Sequence, residues 1–232
     1  ACILGHSKFV GMLEHDRIET PMVRKEGELV PVSYEEAIET AAKILAKSRR
    51  ILSYGWCSTS CEAVSAAIQL ADETGSVIDS TANVCHGPTA LAAQEKGSPS
   101  ATLGEIKNRA DVIVFWGCNP VHAHPRHMVR YSSFSKGLFT EKGRKGRTTI
   151  VVDVRKTDTA KLADKYVEID QGSDLLLVTA LRSIVNGHED VVPETVAGVP
   201  KAEVVELAET LKNAKFVCIF FGMGVTQSRS KY

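Results

Sequence analysis

Six short strand-like runs punctuate this chain: ILSYG (51–55), SVID (76–79), DVIVFWG (111–117), TTIVVD (148–153), KYVEI (165–169) and KFVCIFFG (215–222). Segments of helical periodicity lie between most of them. Residues 59–74 carry Val64, Ala67, Ile68 and Ala71 in helical register. PRHMVRYSSFSKGLF (125–139), TDTAKLAD (157–164), DLLLVTALRSIVNG (174–187) and KAEVVELAETLKNA (201–214) also read as helices. Strand–helix–strand alternation is the pattern of a parallel sheet, because parallel neighbours need a crossover and the crossover is usually a helix. DVIVFWG is apolar at successive positions, as a strand buried on both faces must be. The expectation is an α/β fold with helices on both sides of mostly parallel sheets. Ahead of this, MVRKEGELVPVS (22–33) reads as a hairpin with Glu26-Gly27 at its tip. Ser33 stands three residues before Glu36, a capping-box spacing. It opens a helix with Ile38, Ala41, Ala42, Ile44 and Leu45 on one face.

In parallel sheets, ligands bind beyond the carboxyl ends of the strands. Five stretches fall at that rim: GWCSTS (55–60), STANVCHGP (80–88), WGCNPVHAHP (116–125), VVDVRKTDTA (151–160) and FGMGVTQS (221–228). Their convergence points to a large cofactor lying across strand ends.

Each stretch also has an ordinary reading. In STANVCHGP, Cys85 offers a soft thiolate suited to a transition metal, and His86 an imidazole that can move a proton. A buried cysteine beside a turn histidine is the alternative. In WGCNPVHAHPRH, His122, His124 and His127 lack a fourth ligand at zinc spacing, so polar contact to a cofactor or substrate is expected. Cys118 reads as a packed thiol. Asp153 ends its strand where ribose hydroxyls are often bound, and Arg155 follows two residues later; a helix cap and a solvated arginine are the alternative. Gly222 and Gly224 allow close backbone approach, although Gln227 stands where a third glycine would complete a dinucleotide fingerprint.

Composition narrows the class. Lys+Arg and Asp+Glu are both 28 in 232 residues, so no bulk charge favours nucleic acid or an acidic membrane. The longest apolar stretch, FVCIFFGMGV (216–225), is too short to span a bilayer. No signal pattern opens the sequence, and a cytoplasmic location is the expectation. The six cysteines then read as free thiols or metal ligands rather than disulfides, with packing roles for Cys57, Cys61 and Cys218. Cys2 begins the chain without a lead-in, and SRSKY follows a glycine-rich turn where a helix is expected, so the sequence reads as part of a longer chain.

VCHGPTAL resembles the metal-ligand segment of the molybdopterin oxidoreductase superfamily, and especially formate dehydrogenases, where cysteine or selenocysteine precedes His-Gly-Pro. ACILGHSKF, YGWCSTSCEA, VCHGP, NRADVIVFWGCNPVHAHPRHM, VVDVRKTDTAKLAD and FGMGVTQSRSKY together are similar, in order, to the catalytic tungsten/molybdenum subunit of formylmethanofuran dehydrogenases. The resemblance implies two interleaved Rossmann-like parallel-sheet domains with helices on both faces, plus a remnant of an N-terminal iron–sulfur domain. The implied boundaries are 1–48 for the remnant, hairpin and first helix; 49–84 with 200–232 for one pterin-binding domain; and 85–199 for the other.

The same resemblance implies roles. Cys85 matches the thiolate ligand to tungsten or molybdenum, and His86 the histidine beside it. Gly117, Asn119 and Pro120 match a turn on one molybdopterin guanine dinucleotide of a pair. Asp153 and Arg155 match the stretch at its guanosine end. Gly222, Met223, Gly224, Thr226 and Gln227 match another cofactor loop. Cys2 matches the last of four cysteines on a [4Fe–4S] cluster; the other three would lie upstream. The implied activity is reversible reduction of CO2 to formate in methanogenic formation of formylmethanofuran. The implied partners are an amidohydrolase-type subunit and ferredoxin-like subunits, and the fragment alone is expected to be inactive. A formate dehydrogenase is disfavoured because Ile3-Leu4 stand where typical members carry lysine. A cofactor-free structural subunit is disfavoured by the Cys85-His86 pair.

Overall fold

The computed structural model describes residues 2–14 and 17–228. Arg229–Tyr232, where a helix is expected to follow the glycine turn, lie outside the described residues. The chain divides into two compact units, one covering Ile3–Gly87 and the other running from Pro88 onward.

The first unit opens with helix α1 (Ile3–Glu14) and the hairpin of β1 (Met22–Lys25) and β2 (Glu28–Pro31). Glu26 and Gly27 have φ of 52° and 94°, the two left-handed positions that let a two-residue turn follow the strand twist. Helix α2 (Tyr34–Lys47) follows. Its cap is half of the expected box: the Ser33 hydroxyl accepts from Glu36 N at 3.2 Å, while the Glu36 carboxylate pairs with Lys25 at 2.7 Å. Next come β3 (Leu52–Gly55), α3 (Cys61–Thr74) and β4 (Val77–Ser80). β3 and β4 pair in parallel, Leu52 with Val77 through Gly55 with Ser80, with α3 as the crossover. Ser60 caps α3 through Ala63 N, and Gly75 ends it in the left-handed conformation. These three elements form as the sequence periodicity predicts.

β4 runs directly into α4 (Thr81–Lys96), and the division between units falls inside this helix. The rim stretch 80–88 is therefore largely helical, and polar side chains begin the helix. The Asp79 carboxylate accepts from Ser80 N at 2.8 Å, the Ser80 hydroxyl accepts from Ala82 N at 3.2 Å, and the Thr81 hydroxyl donates to Gly55 O at 3.0 Å. Pro88 sits within the helix and contributes no N–H to its ladder.

The second unit contains α5 (Leu103–Arg109), β5 (Val112–Trp116), α6 (Pro120–Ala123), α7 (His127–Arg130), β6 (Thr148–Asp153), β7 (Lys165–Glu168), α8 (Asp174–Val185), the short pair β8 (Thr195–Val196) and β9 (Val199–Pro200), α9 (Lys201–Asn213), β10 (Val217–Phe221) and α10 (Met223–Thr226). Its sheet has the order β10-β5-β6-β7, all parallel. One face packs Val112, Val114, Trp116, Ile150, Val152 and Val167 against Leu177, Leu181 and Ile184 of α8 and Val204 and Leu207 of α9. The other packs Ile113, Phe115 and Val151 against Ile106 and Met128. β5 is buried along its whole length, as its unbroken apolar run requires.

Two sequence expectations are corrected here. The implied boundaries group residues 200–232 with 49–84, but β10 hydrogen-bonds to β5 in register from Val217 opposite Val112 to Phe221 opposite Trp116. The apolar face of α9 is buried in this sheet's own core, and Val217, Cys218 and Phe220 of β10 pack against it half-buried, so the segment completes the second unit. Residues 125–139 have the periodicity of one helix, but only His127–Arg130 is α-helical. The buried Arg147 guanidinium draws the rest into an irregular path by donating to Ser132 O, Ser135 Oγ, Thr140 Oγ1 and Lys107 O. Tertiary hydrogen bonding overrides local helix propensity there.

Candidate cofactor crevice

The strand order reverses between β10 and β5, because the chain passes from β5 to β6 and β7 on one side and returns to β10 on the other. This reversal is where a doubly wound sheet opens a crevice at its carboxyl edge. The loops beyond the two strands meet there. Gly222 N donates to Trp116 O at 2.9 Å, Gly224 N to Gly117 O at 3.0 Å, and Gly117 N to Val152 O at 2.9 Å. A Cβ on Gly222 would lie 2.5 Å from Cys118 Cβ, and one on Gly224 would lie 2.7 Å from Gly117 Cα. Gly117 itself has φ +58° and faces Gly224 Cα at 2.9 Å from its own ideal Cβ. The lone Gly-x-Gly is thereby explained, since its backbone lies against a second glycine 107 positions earlier (224 − 117).

Two cavities flank this junction. The first, about 600 Å³, is lined by Gly117, Asp153, Gln171, Asp174, Met223, Gly224 and Gln227, among others. The second, about 550 Å³, takes Gly117, Cys118, Asn119, Pro120, Gly222 and Met223 together with His124, His127 and three phenylalanines. Most of the rim residues singled out from sequence in these loops therefore divide between adjoining cavities. Thr226 lines a smaller cavity of about 240 Å³ with Pro88 and Val178. Arg155 is exposed and lines none of these three.

The first cavity presents two carboxylates. Burial raises the Asp153 pKa, against the lowering effect of backbone N–H groups at Val154 and Arg155 and of the Arg155 charge. Asp174, 8% exposed, accepts the Trp116 indole N–H at 2.7 Å. Such acceptors suit hydroxyl or N–H donors of a ligand. The sequence marks Asp174 only as the start of a helix. The available signal was the rim rule itself: IDQGSD follows β7 just as the other rim stretches follow their strands.

In the second cavity, His127 packs edge-on to Phe220 at 4.6 Å between ring centroids, and its Nε2 is buried without a partner among the described residues. Burial and then the nearby His124 lower its pKa. A histidine whose folded pKa is depressed resists protonation in the folded state. The associated stability is full above about pH 6.5 and falls as the pH drops toward the folded-state value. His127→Phe is expected to flatten that fall in thermal melts between pH 7 and 5; an unchanged pH slope would contradict it. His122, in contrast, is exposed and pairs with Asp158 at 2.6 Å, beside Lys161. The three histidines therefore do not share one site.

Cys118 behaves as expected for a packed thiol. It donates to Phe220 O at 3.3 Å, and burial together with the Asp153 charge pushes it up to about 11. Burial likewise pushes Cys218 up to about 11. Cys57 and Cys61 are exposed, which corrects their packing assignment. Hydrogen bonds from the side chains of Thr81 and Ser58 lower the Cys57 pKa.

Cys85 and His86 belong to the first unit and lie on α4, both exposed. Neither side chain makes a hydrogen bond among the described residues. No group of three or more His, Cys, Asp or Glu among the described residues is arranged to hold a metal. Cys2, half-buried ahead of α1, therefore does not fit a four-thiolate cluster with the other described cysteines. No described helix is long and apolar enough to cross a membrane.

The profile of the molybdopterin oxidoreductase family matches residues 17–232. The chain is 49% identical over 234 residues to a subunit of the tungsten-containing formylmethanofuran dehydrogenase 2 of Methanocaldococcus jannaschii, covering 100% of this chain and 54% of that protein. It spans about half the length of the curated relatives it matches. Among solved structures, it is similar to acetylene hydratase from Pelobacter acetylenicus, with a TM-score of 0.67 at 16% identity, covering 97% of this chain and 35% of that one. It is also similar to the formyltransferase/hydrolase complex from Methylorubrum extorquens in complex with methylofuran, with a TM-score of 0.60 at 22% identity, covering 86% and 51%. At these identities the structural likenesses establish the fold alone.

Proposed function

Because the chain belongs to the molybdopterin oxidoreductase family, we propose that it is part of the redox subunit of a formylmethanofuran dehydrogenase, serving reversible reduction of CO2 to formate. The match along the whole chain to a subunit of a tungsten-containing enzyme of that name supports this reading. The structural observation that carries it is the placement of Cys85 and His86. They present a thiol and an imidazole side by side, exposed and without a protein partner among the described residues, on a helix beginning where a parallel strand ends. A cysteine placed for packing would be buried.

The junction is the place for a large cofactor on this reading. Gly117, Gly222 and Gly224 let the two loops meet backbone to backbone, so that two cavities adjoin along one strand edge. Asp153 and Asp174 offer acceptors for the donor groups of a guanosine, and Asn119, Pro120, Met223 and Gln227 line the adjoining walls. On this reading the cavities hold a molybdopterin guanine dinucleotide, one of two, and Cys85 is the protein ligand to tungsten or molybdenum. When bound, that metal supplies the two-electron exchange between CO2 and formate.

The reaction CO2 + H⁺ + 2 e⁻ → HCOO⁻ needs one proton. His86, adjacent to the thiolate and exposed, is the residue placed to carry it. Cys85 contributes a soft, anionic donor. Arg155, beside Asp153, serves the guanosine end rather than the reacting carbon. Thr226 lines the smaller neighbouring cavity. On the same reading Cys2 is one ligand of a [4Fe–4S] cluster. The partners proposed are the amidohydrolase-type and ferredoxin-like subunits of the same complex, in the cytoplasm.

The test is elemental and pterin analysis of the intact complex, alongside formate–CO2 turnover. Tungsten or molybdenum with pterin dinucleotide is the expected result. A purified complex holding neither metal nor pterin would overturn the proposal and favour a structural subunit.

A further inference from the structure

We infer that Thr159 is a positioning residue: it turns the Asn119 amide so that its nitrogen, not its oxygen, is presented to the cavity, making Asn119 a donor to an acceptor oxygen of the dinucleotide. The inference rests on the cofactor reading above. Thr159 follows β6, is 0% exposed, and looks from sequence only like part of a short helix. Its hydroxyl accepts a hydrogen bond from Val121 N at 3.3 Å and donates to Asn119 Oδ1 at 2.6 Å. A buried hydroxyl must place its proton, and the Asn119 carbonyl oxygen is the acceptor within reach.

Two further observations fit this role. Asn119 starts α6 through its backbone, with its carbonyl accepting from His122 N and Ala123 N, yet its side chain makes no capping bond. The amide is therefore free of the local duty that asparagine usually has at a helix start. Its nitrogen has no partner among the described residues, and the residue lines the cavity beside Gly117 and Gly222. With the oxygen occupied by Thr159, the group offered to a ligand is N–H. Such a group meets an anionic or carbonyl oxygen and rejects a donor. Valine in place of Thr159 keeps the shape but releases the amide to rotate.

The test uses the intact complex and measures dinucleotide retained per protein after gel filtration, its rate of loss, and the melting temperature of the cofactor-depleted form. Thr159→Val is expected to lose dinucleotide about tenfold faster, the effect of one misdirected hydrogen bond. Thr159→Ser restores the hydroxyl and should restore retention to within about twofold of the original. Asn119→Asp keeps the bond from Thr159 but replaces the donor with an acceptor, so it should lose dinucleotide at least as fast as Thr159→Val. The double variant should be no worse than Asn119→Asp, because both act through one amide.

Wild-type retention in Thr159→Val, failure of Thr159→Ser to rescue, or additive losses in the double variant would each overturn the inference. If Thr159→Val does not assemble, Asn119→Asp decides alone: wild-type retention there also overturns it. A wild-type complex without any dinucleotide would be recognised separately, since it removes the cofactor reading on which this inference stands.

Discussion

Replacing Cys85 with alanine in the intact complex is expected to lower formate–CO2 turnover by at least about 100-fold while the complex still assembles. Groups that merely orient metal ligands cost about 10–100-fold when removed, so loss of the protein ligand itself should exceed that range. The side chain is exposed and makes no hydrogen bond among the described residues, so alanine leaves no cavity and no orphaned polar group in the chain itself. Catalysis and assembly should therefore separate. Turnover within a few-fold of the original would remove Cys85 from the metal; failure to assemble would point to a packing role instead.

Substitution of Gly117 by alanine should act through the fold. Its φ of +58° is strained for any L residue, and the new Cβ would fall 2.9 Å from Gly224 Cα and 3.0 Å from Val225 N. Left-handed backbone costs about 1–2 kcal/mol and overpacking about 1–3 kcal/mol. The expected loss is about 2–5 kcal/mol, a fall in melting temperature of roughly 10 °C, with dinucleotide content reduced in parallel. Gly5→Ala is the control: it lies in α1 with nothing within 4 Å of its ideal Cβ, so alanine there should be neutral or slightly stabilising. A Gly117→Ala complex that melts with the original would mean that the two loops do not need their close approach.

The elements most legible in sequence are those whose cause is local. The left-handed pair Glu26-Gly27 makes its hairpin from turn chemistry alone, and Ser33 caps α2 from three residues away. β5 is recognisable because a strand covered on both faces has no polar side to show. What escapes depends on residues distant in the chain. Ser132–Ser135 leave the helix expected there because Arg147 takes Ser132 O and Ser135 Oγ as acceptors. β10 joins β5 through a register that nothing within residues 200–232 encodes.

The candidate site divides in the same way. Rim placement identifies Gly117, Asn119, Asp153 and the Gly222–Gly224 turn, since a strand end can be read locally. It does not reveal that Gly224 meets Gly117, because that pairing follows from strand order. Asp174 and Thr159 escape for a related reason: an aspartate at a helix start and a threonine in a polar loop look unremarkable until Trp116 and Asn119 are brought against them. Cys85 and His86 are legible as chemistry, but their setting is not, because the helix that carries them is begun by side-chain bonds from Asp79, Ser80 and Thr81.

X-ray absorption at the tungsten or molybdenum edge, recorded on the intact complex and on its Cys85→Ser variant, tests the metal-ligand assignment directly. The assignment predicts that one metal–sulfur distance in the original is replaced by a shorter metal–oxygen distance in the variant, with the remaining sulfur shell unchanged. Identical spectra from the two proteins, with metal fully retained, would show that Cys85 does not bind the metal.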